Sequence, residues 1–121
     1  MAQPKLITEY LPFPPSSAEF KEEFLTLINF IKQKESKETI ISQLSKLEEL
    51  FKVDRVAASW FMHPTNLEYT IQRVTEYGAN RAIIRLRNRI PNHKLAATMF
   101  VRAMKVAVGR IDVEVVPSDS K

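Results

Sequence analysis

The sequence contains no cysteine, and it has only two glycines and two histidines in 121 residues. The lack of cysteine excludes disulfide bonds, thiolate zinc sites and a cysteine nucleophile. Two glycines are too few for a glycine-rich phosphate loop, and two histidines argue against a histidine-based metal cage. We therefore expect a protein that uses no metal and no cofactor and is not an enzyme.

Long hydrophobic runs are also missing. No apolar run approaches the ~18–20 residues that cross a bilayer, and the chain does not open on a charged and then apolar leader. With 45% hydrophobic and 26% charged residues, the composition is that of an ordinary globular domain. We expect one soluble domain in the cytoplasm or nucleus that is neither secreted nor bound to a membrane.

Acidic residues are absent from one third of the chain. Residues 1–78 carry nine basic and eleven acidic side chains, whereas residues 79–110 carry eight basic and no acidic ones. The eight are Arg81, Arg85, Arg87, Arg89, Lys94, Arg102, Lys105 and Arg110. An arginine-rich region without acids is typical of a surface that contacts phosphates, because the guanidinium fork matches phosphate geometry. The sequence thus predicts binding of RNA or DNA through the phosphate backbone.

An internal role for these cations is the alternative interpretation. In the helix predicted over 80–90, Arg81, Arg85 and Arg89 form one ridge at a spacing of four residues. Phosphates would relieve the repulsion along this ridge, and so would carboxylates on neighbouring helices. The candidate internal partners are Glu48, Glu49, Glu68 and Glu76.

Apolar residues at helical spacing predict a mainly α fold, a compact bundle of five to six short helices. The predicted helices cover about 17–34, 37–52, 55–62, 66–77, 80–90 and 93–108. A capping box over Ser16–Glu19 is expected to start the first helix, and Asn92 to cap the last. Gly78 is expected at the end of the fourth helix with a positive φ.

The two ends of the chain are predicted to differ from this helical domain. Four prolines within residues 1–16 predict an extended N-terminal arm. Alternating β-branched residues over 110–116 predict one short β-strand, the last element of a domain that spans 17–116, and residues 117–121 are expected to be frayed. Because the apolar arm, the strand and the almost uniformly apolar helix over 93–108 lack an obvious partner in one chain, we expect a homodimer.

Aromatic residues offer few surfaces for base stacking. Trp60 lies in an apolar helix, which favours a place in the core. Tyr10, Tyr69 and Tyr77 are better candidates for stacking on bases because tyrosine tolerates a wet surface.

Two short patterns suggest other functions. Arg87 to His93, sequence RNRIPNH, resembles the arginine-to-histidine motif of HEPN ribonucleases. The resemblance implies that Arg87 binds phosphate and that His93 takes part in proton transfer. The order of Phe51, Ala58-Ser59-Trp60, Pro64-Thr65-Asn66-Leu67 and a late basic helix is similar to the toxin-binding half of some bacterial antitoxins. This resemblance implies a protein partner and keeps a regulatory or adaptor module as the alternative function.

Overall fold

The computed structural model describes residues 6–87 and 95–111, except for the side chains of Leu86 and Arg87, and this part of the chain is mainly helical. Its helices are α1 (Ala18–Lys32), α2 (Lys37–Val53), α3 (Arg55–Met62), α4 (Pro64–Tyr77), α5 (Arg81–Arg87) and α6 (Ala96–Gly109). The prediction of a compact helical bundle is therefore confirmed, and α3 has the predicted bounds.

Side-chain caps fix the starts of α2, α3 and α4. Ser36 and Asp54 accept backbone amide hydrogen bonds of 3.2 Å and 3.0 Å at the starts of α2 and α3. The ring Nδ1 of His63 accepts a bond of 3.2 Å from the amide of Thr65 at the start of α4. Pro64 occupies the first turn of α4, where its missing N–H costs no hydrogen bond. The fourth helix therefore begins two residues earlier than the predicted residue 66.

Two helices, α1 and α6, start later than predicted. Ser17, not Ser16, is the N-cap of α1, and its hydroxyl caps no backbone amide. The N-cap of α6 is Leu95, which has no capping side chain, so this helix begins after the predicted residue 93. Asn92, the predicted cap, lies outside the described residues. In both places the chain enters the helix through a turn rather than through a side-chain cap.

Gly78 ends α4 in the conformation expected from the sequence. Its φ is +132°, and its amide and that of Ala79 donate to the carbonyl of Val74 at 3.2 Å and 3.0 Å. These bonds satisfy a carbonyl in the last turn of the helix. A β-carbon at this position would lie 3.4 Å from the Cδ1 atom of Ile111, so the turn also brings the end of α4 close to the chain that follows α6.

The apolar helix α6 lies at the centre of the bundle. It packs against α2, α3, α4 and α5, while α1 packs against α2 and α4. Its buried residues are Ala96, Ala97, Thr98, Val101, Ala103, Met104, Ala107 and Val108. The many small side chains allow neighbouring helices to approach on several sides, which explains why the apolar positions surround most of this helix.

The N-terminal residues are packed into the bundle, and the expected extended Pro-rich arm is not supported as a separate element. Residues 6–14 contain no helix or strand. The rings of Tyr10 and Phe13 join an aromatic cluster with Phe24 and Trp60. Burial of these rings holds the segment on the helices, because each large aromatic side chain removes a large apolar area from water.

The predicted C-terminal strand has no support in the described residues. Arg110 lies in a turn and Ile111 has no regular structure, while residues 112–116 lie outside the described residues. Of the three features that suggested a homodimer, the N-terminal segment and α6 both find apolar partners within the chain. The homodimer remains a prediction.

Candidate functional site

Arg81 is held by a carboxylate of α4. One guanidinium nitrogen of Arg81 lies 2.6 Å from each carboxylate oxygen of Glu68, and Gln72 donates a bond of 2.8 Å to the same carboxylate. Burial alone would raise the pKa of Glu68, but the hydrogen bonds from Arg81 and Gln72, with the charges of Arg81 and Arg85, outweigh it and hold the pKa below its ordinary value. The first cation of the predicted ridge is thus engaged inside the fold.

Two cations of α6 share a carboxylate of α2. Arg102 Nε lies 2.6 Å from one oxygen of Glu48, and Lys105 Nζ lies 2.7 Å from the other. Lys105 also donates a bond of 3.0 Å to the hydroxyl of Ser45. Burial favours the neutral form of Glu48, but the hydrogen bonds and charges of Lys105 and Arg102 dominate and hold its pKa below the ordinary value. Glu48 is buried, so this triad stabilises the contact between α2 and α6.

The eight predicted phosphate-binding residues do not form one continuous face among the described residues. Successive residues of an α-helix are about 100° apart, so Phe100 and Arg102 lie about 160° apart around α6. Phe100 faces the groove beside Arg85, whereas Arg102 faces Glu48 on α2. The body of α6 therefore separates the cations of α5 from those of α6.

Arg85 and Arg110 are the exposed cations of this third that have no ion pair within 4 Å among residues 6–87 and 95–111. Arg81, Arg102 and Lys105 are paired with acidic residues, as the alternative interpretation anticipated. The other predicted residues, Arg89 and Lys94, and the side chain of Arg87 lie outside the described residues. Four of the cations form two clusters, each around one carboxylate. Glu68 faces Arg81 and Arg85, and Glu48 faces Arg102 and Lys105. Each cluster therefore has one positive charge in excess.

A groove lies where α4, α5 and α6 meet. It encloses about 310 Å³ and is lined by Pro64, Leu67, Glu68, Ile71, Arg85 and Phe100. Leu67 and Phe100 are half-buried, so part of their apolar surface faces the groove. Arg85 stands exposed at its margin, and Glu68 is already neutralised by Arg81. The groove therefore combines an apolar floor with one accessible guanidinium group.

A second, more polar groove lies between α1 and α2. It encloses about 520 Å³ and is lined by Glu23, Thr26, Phe30, Glu38, Thr39, Ser42, Gln43 and Lys46. Gln43 is buried and donates to the backbone carbonyl and the carboxylate of Glu23 at 2.9 Å and 2.6 Å. Seven of its eight lining residues are polar, so this groove offers a ligand mainly hydrogen-bonding groups.

Four polar side chains of the helices bind the backbone of the N-terminal segment. Sequence reasoning missed three of them, Asn66, Gln72 and Arg73, which are all on α4 and all buried. The fourth is Trp60, whose expected place in the core is confirmed and whose indole N–H donates a bond of 2.9 Å to the carbonyl of Pro12. Asn66 and Arg73 are two turns apart on one face of α4, but this spacing gives no sign that the face binds a backbone segment.

The tyrosines proposed for base stacking are packed against protein groups. Tyr69 is only 3% exposed, and the guanidinium group of Arg73 lies 4.7 Å from its ring centre. The hydroxyl of Tyr77 donates to the backbone carbonyl of Glu35. Tyr10 lies edge-on to Tyr69, with ring centres 5.1 Å apart. Tyr69 belongs to the core, and Tyr10 and Tyr77 are half-buried and packed against it.

The histidines give no catalytic arrangement among the described residues. His63 is exposed and caps α4, as described above, while His93 of the HEPN-like motif lies outside the described residues. Within residues 6–87 and 95–111, no three His, Asp or Glu side chains are placed together as metal ligands. No helix in this part of the chain has the length and apolar character to cross a membrane.

Comparison of the chain with protein-family models, with curated proteins and with solved structures gives no match. Functional interpretation therefore rests on the groove and on the charges around it.

Proposed function

We propose that the protein is a protein-interaction module, and that the groove between α4, α5 and α6 binds a partner segment with both apolar and acidic side chains. The observation that carries this proposal is the exposed guanidinium group of Arg85 beside the half-buried side chains of Leu67 and Phe100. An apolar pocket with one or a few placed polar groups is the usual form of a recognition site.

The apolar floor supplies affinity. Burying apolar surface yields roughly 25 cal/mol per Å², and a groove of about 310 Å³ has room for one or two large apolar side chains of a partner. The aromatic ring of Phe100 is well suited to this contact, because aromatic residues are enriched at the centres of protein interfaces.

Charge supplies selectivity. Arg85 can form a bidentate pair with a carboxylate, and this pair is stronger and more directional than a neutral hydrogen bond. Glu68 does not oppose an acidic partner because Arg81 already neutralises it at 2.6 Å. A basic partner, in contrast, would meet Arg85 without a carboxylate in the groove left to neutralise it.

A display library of random linear peptides, panned against the whole chain, tests this function. We expect enriched peptides that place an acidic residue close to large apolar residues. Their affinity should fall at least about tenfold in Arg85→Glu, which corresponds to about 1.4 kcal/mol. Arg55→Glu is the matched control, because Arg55 is also an exposed arginine but lies at the start of α3. Equal binding to the wild type, Arg85→Glu and Arg55→Glu, or no enrichment of acidic and apolar peptides, would contradict the proposal.

Binding of RNA or DNA is the second candidate function, and the excess charge of the two clusters supports it. Arg102 is paired with Glu48 but its side chain remains 54% exposed, and Arg110 is exposed as well. These groups can contact phosphates without any base readout. Fluorescence anisotropy with labelled single- and double-stranded RNA and DNA, at about 50 and about 200 mM salt, tests this candidate.

Two results together would favour the second candidate. The affinity for nucleic acid would fall steeply with salt, and the double variant Arg85→Glu/Arg89→Glu would lose binding while it retains its helicity. Weak binding that is the same in this double variant would remove the predicted basic ridge from consideration. The peptide and nucleic-acid measurements thus separate the two functions, and the Arg85→Glu substitution is tested in both.

A further inference from the structure

The N-terminal segment, residues 6–13, occupies a groove formed by α1, α3 and α4. We propose that the same segment of a second copy can take this place, so that two chains exchange their N-terminal segments and form a homodimer. This interface is separate from the groove beside Arg85 and does not depend on the function proposed for that groove.

The helices recognise the segment largely through its backbone. The amide of Ile7 donates to Gln72 Oε1 at 2.8 Å, and its carbonyl accepts a bond of 3.0 Å from Arg73. The amide of Leu11 donates to Asn66 Oδ1 at 2.8 Å. With the indole bond to the Pro12 carbonyl, described above, these contacts tie three points of the segment to side chains of the bundle. A second copy carries the identical segment and can make every one of these bonds.

Aromatic packing makes an empty groove costly. The ring of Phe13 stacks on Trp60 with centres 4.6 Å apart and planes 18° apart. Tyr10 lies edge-on to Phe24 and Tyr69, with centres 5.7 Å and 5.1 Å apart. If the segment left its groove, the core would lose two rings and expose others. An exchanged dimer keeps all of these contacts, so the two forms differ mainly at the hinge.

The hinge between the N-terminal segment and α1 contains a polar group without a hydrogen bond in the closed form, in which the segment lies in the groove of its own chain. The chain turns at residues 14–17, where the amide of Ser17 donates to the carbonyl of Pro14 at 3.1 Å. The hydroxyl of Ser17 is buried and has no hydrogen-bond partner within the described part of the chain. Its φ of −115° and ψ of 51° lie outside the extended region that an N-cap serine normally adopts.

Opening the hinge would give the Ser17 hydroxyl a hydrogen-bond partner. If residues 14–17 straighten, Ser17 can reach the extended conformation and its hydroxyl can cap the first turn of α1. The closed form therefore leaves a hydroxyl without a hydrogen bond and α1 without a side-chain cap. The exchanged form would have neither defect. This difference, added to the preserved groove contacts, is what favours exchange when the protein is concentrated.

Single-cysteine chains give a direct test, because the natural sequence contains no cysteine. Leu6 and Glu76 are both exposed, and both lie beside the contact between Arg73 and the backbone of Ile7. A Leu6→Cys chain and a Glu76→Cys chain are mixed at high concentration, incubated, diluted and treated with a short bismaleimide. We expect a crosslinked heterodimer in several-fold greater yield than with Leu6→Cys and Val53→Cys, which reports random encounters at another exposed position.

The chain with both Leu6→Cys and Glu76→Cys serves as the reference for geometry. Crosslinking within this single chain, together with a mixed-chain yield no greater than that of the Val53→Cys control, would overturn the exchange. In dilute solution, where the closed single chain predominates, failure of the intramolecular crosslink would also overturn it, because the segment would then not lie in this groove.

Two further variants test the role of the hinge. Ser17→Ala removes both the unpaired hydroxyl of the closed form and the cap of the open form, so it should lower the exchanged fraction several-fold. Ser16→Ala, at the exposed neighbouring residue, should leave it unchanged. An equal exchanged fraction in Ser17→Ala and the wild type would show that the hinge does not drive exchange and would contradict this explanation.

Discussion

Arg81 Nη2 lies 2.6 Å from both carboxylate oxygens of Glu68, and this pair joins the start of α5 to the second turn of α4. This ion pair changes how the basic residues of the acid-free third of the chain, residues 79–110, are interpreted. An arginine-rich region without acids indicates a surface for phosphates when it is considered alone. In the folded chain, Glu68 and Glu48 approach it from α4 and α2 and hold three of its cations.

Acid should destabilise the fold through these two carboxylates. The pKa of Glu48 and that of Glu68 both lie below their ordinary value of 4.5 in the folded chain. A carboxyl group with a depressed folded pKa contributes stability that is present above its unfolded pKa and is lost as the pH falls through the folded pKa. We expect the free energy of unfolding, measured with urea, to be constant near neutral pH and to fall below about pH 4.5. A free energy that stays constant down to pH 3 would contradict this prediction.

Removing the charge of Glu48 should destabilise the contact between α2 and α6. In Glu48→Gln, Arg102 and Lys105 would lie side by side without a counter-charge, and we expect a loss of about 1–3 kcal/mol in the free energy of unfolding. The matched control is Glu49→Gln, because Glu49 is exposed and its ion pair with Lys52 is exposed as well. That change should cost less than about 0.5 kcal/mol. Equal effects of the two substitutions in urea titrations would show that the triad contributes no net stability.

The ring of Phe13 should be part of the core, although it precedes the first helix. Phe13→Ala would remove the partner that stacks on Trp60, and we expect a loss of about 1–3 kcal/mol, somewhat below the ~3–5 kcal/mol of a fully buried phenylalanine. Trp60 is the one tryptophan of the chain, so its fluorescence reports both the unfolding and the change in its surroundings. Leu6→Ala is the control, since Leu6 is 64% exposed, and it should change stability by less than about 0.5 kcal/mol.

The two glycines should respond to alanine in opposite ways. Gly78 has a φ of +132°, and a β-carbon there would lie 3.4 Å from Ile111, so Gly78→Ala should cost about 1–3 kcal/mol. Gly109 ends α6 without a positive φ, and a β-carbon would lie an ordinary 3.7 Å from Ile41. Gly109→Ala should therefore be neutral or stabilise by up to about 1 kcal/mol. Thermal unfolding of both variants checks this contrast, and the same sign for the two would contradict it.

Local signals in the sequence predicted most of the helices. Asp54 caps the start of α3, and Pro64 restricts the residue before it and so ends the helix. Both bounds of α3 therefore followed from the sequence. The predicted N-cap of α1 was wrong by one residue, because Ser16 and Ser17 offer two possible caps. The turn at residues 14–17 decides between them, and it is held by burial of the segment before it. Tertiary packing, not local preference, sets that boundary.

The pairing of the cations depended on contacts between residues that are distant in sequence. Glu48 and Glu68 could be named from the sequence as internal partners. They lie 54 and 13 residues from Arg102 and Arg81, so the sequence left open whether carboxylates or phosphates bind these cations. Gln72 and Asn66 were missed for a related reason. Each binds a backbone group 65 or 55 residues away, and a helix pattern gives no sign of such a partner.

The location of partner binding is the central claim, and chemical-shift mapping tests it most directly. A peptide enriched by panning is titrated into the isotopically labelled chain, and the shift changes of backbone amides and side-chain methyl groups are recorded. We predict that the changes concentrate at Leu67, Ile71, Arg85 and Phe100. Changes centred instead on Phe30 and Thr39, in the polar groove between α1 and α2, would contradict the proposed site.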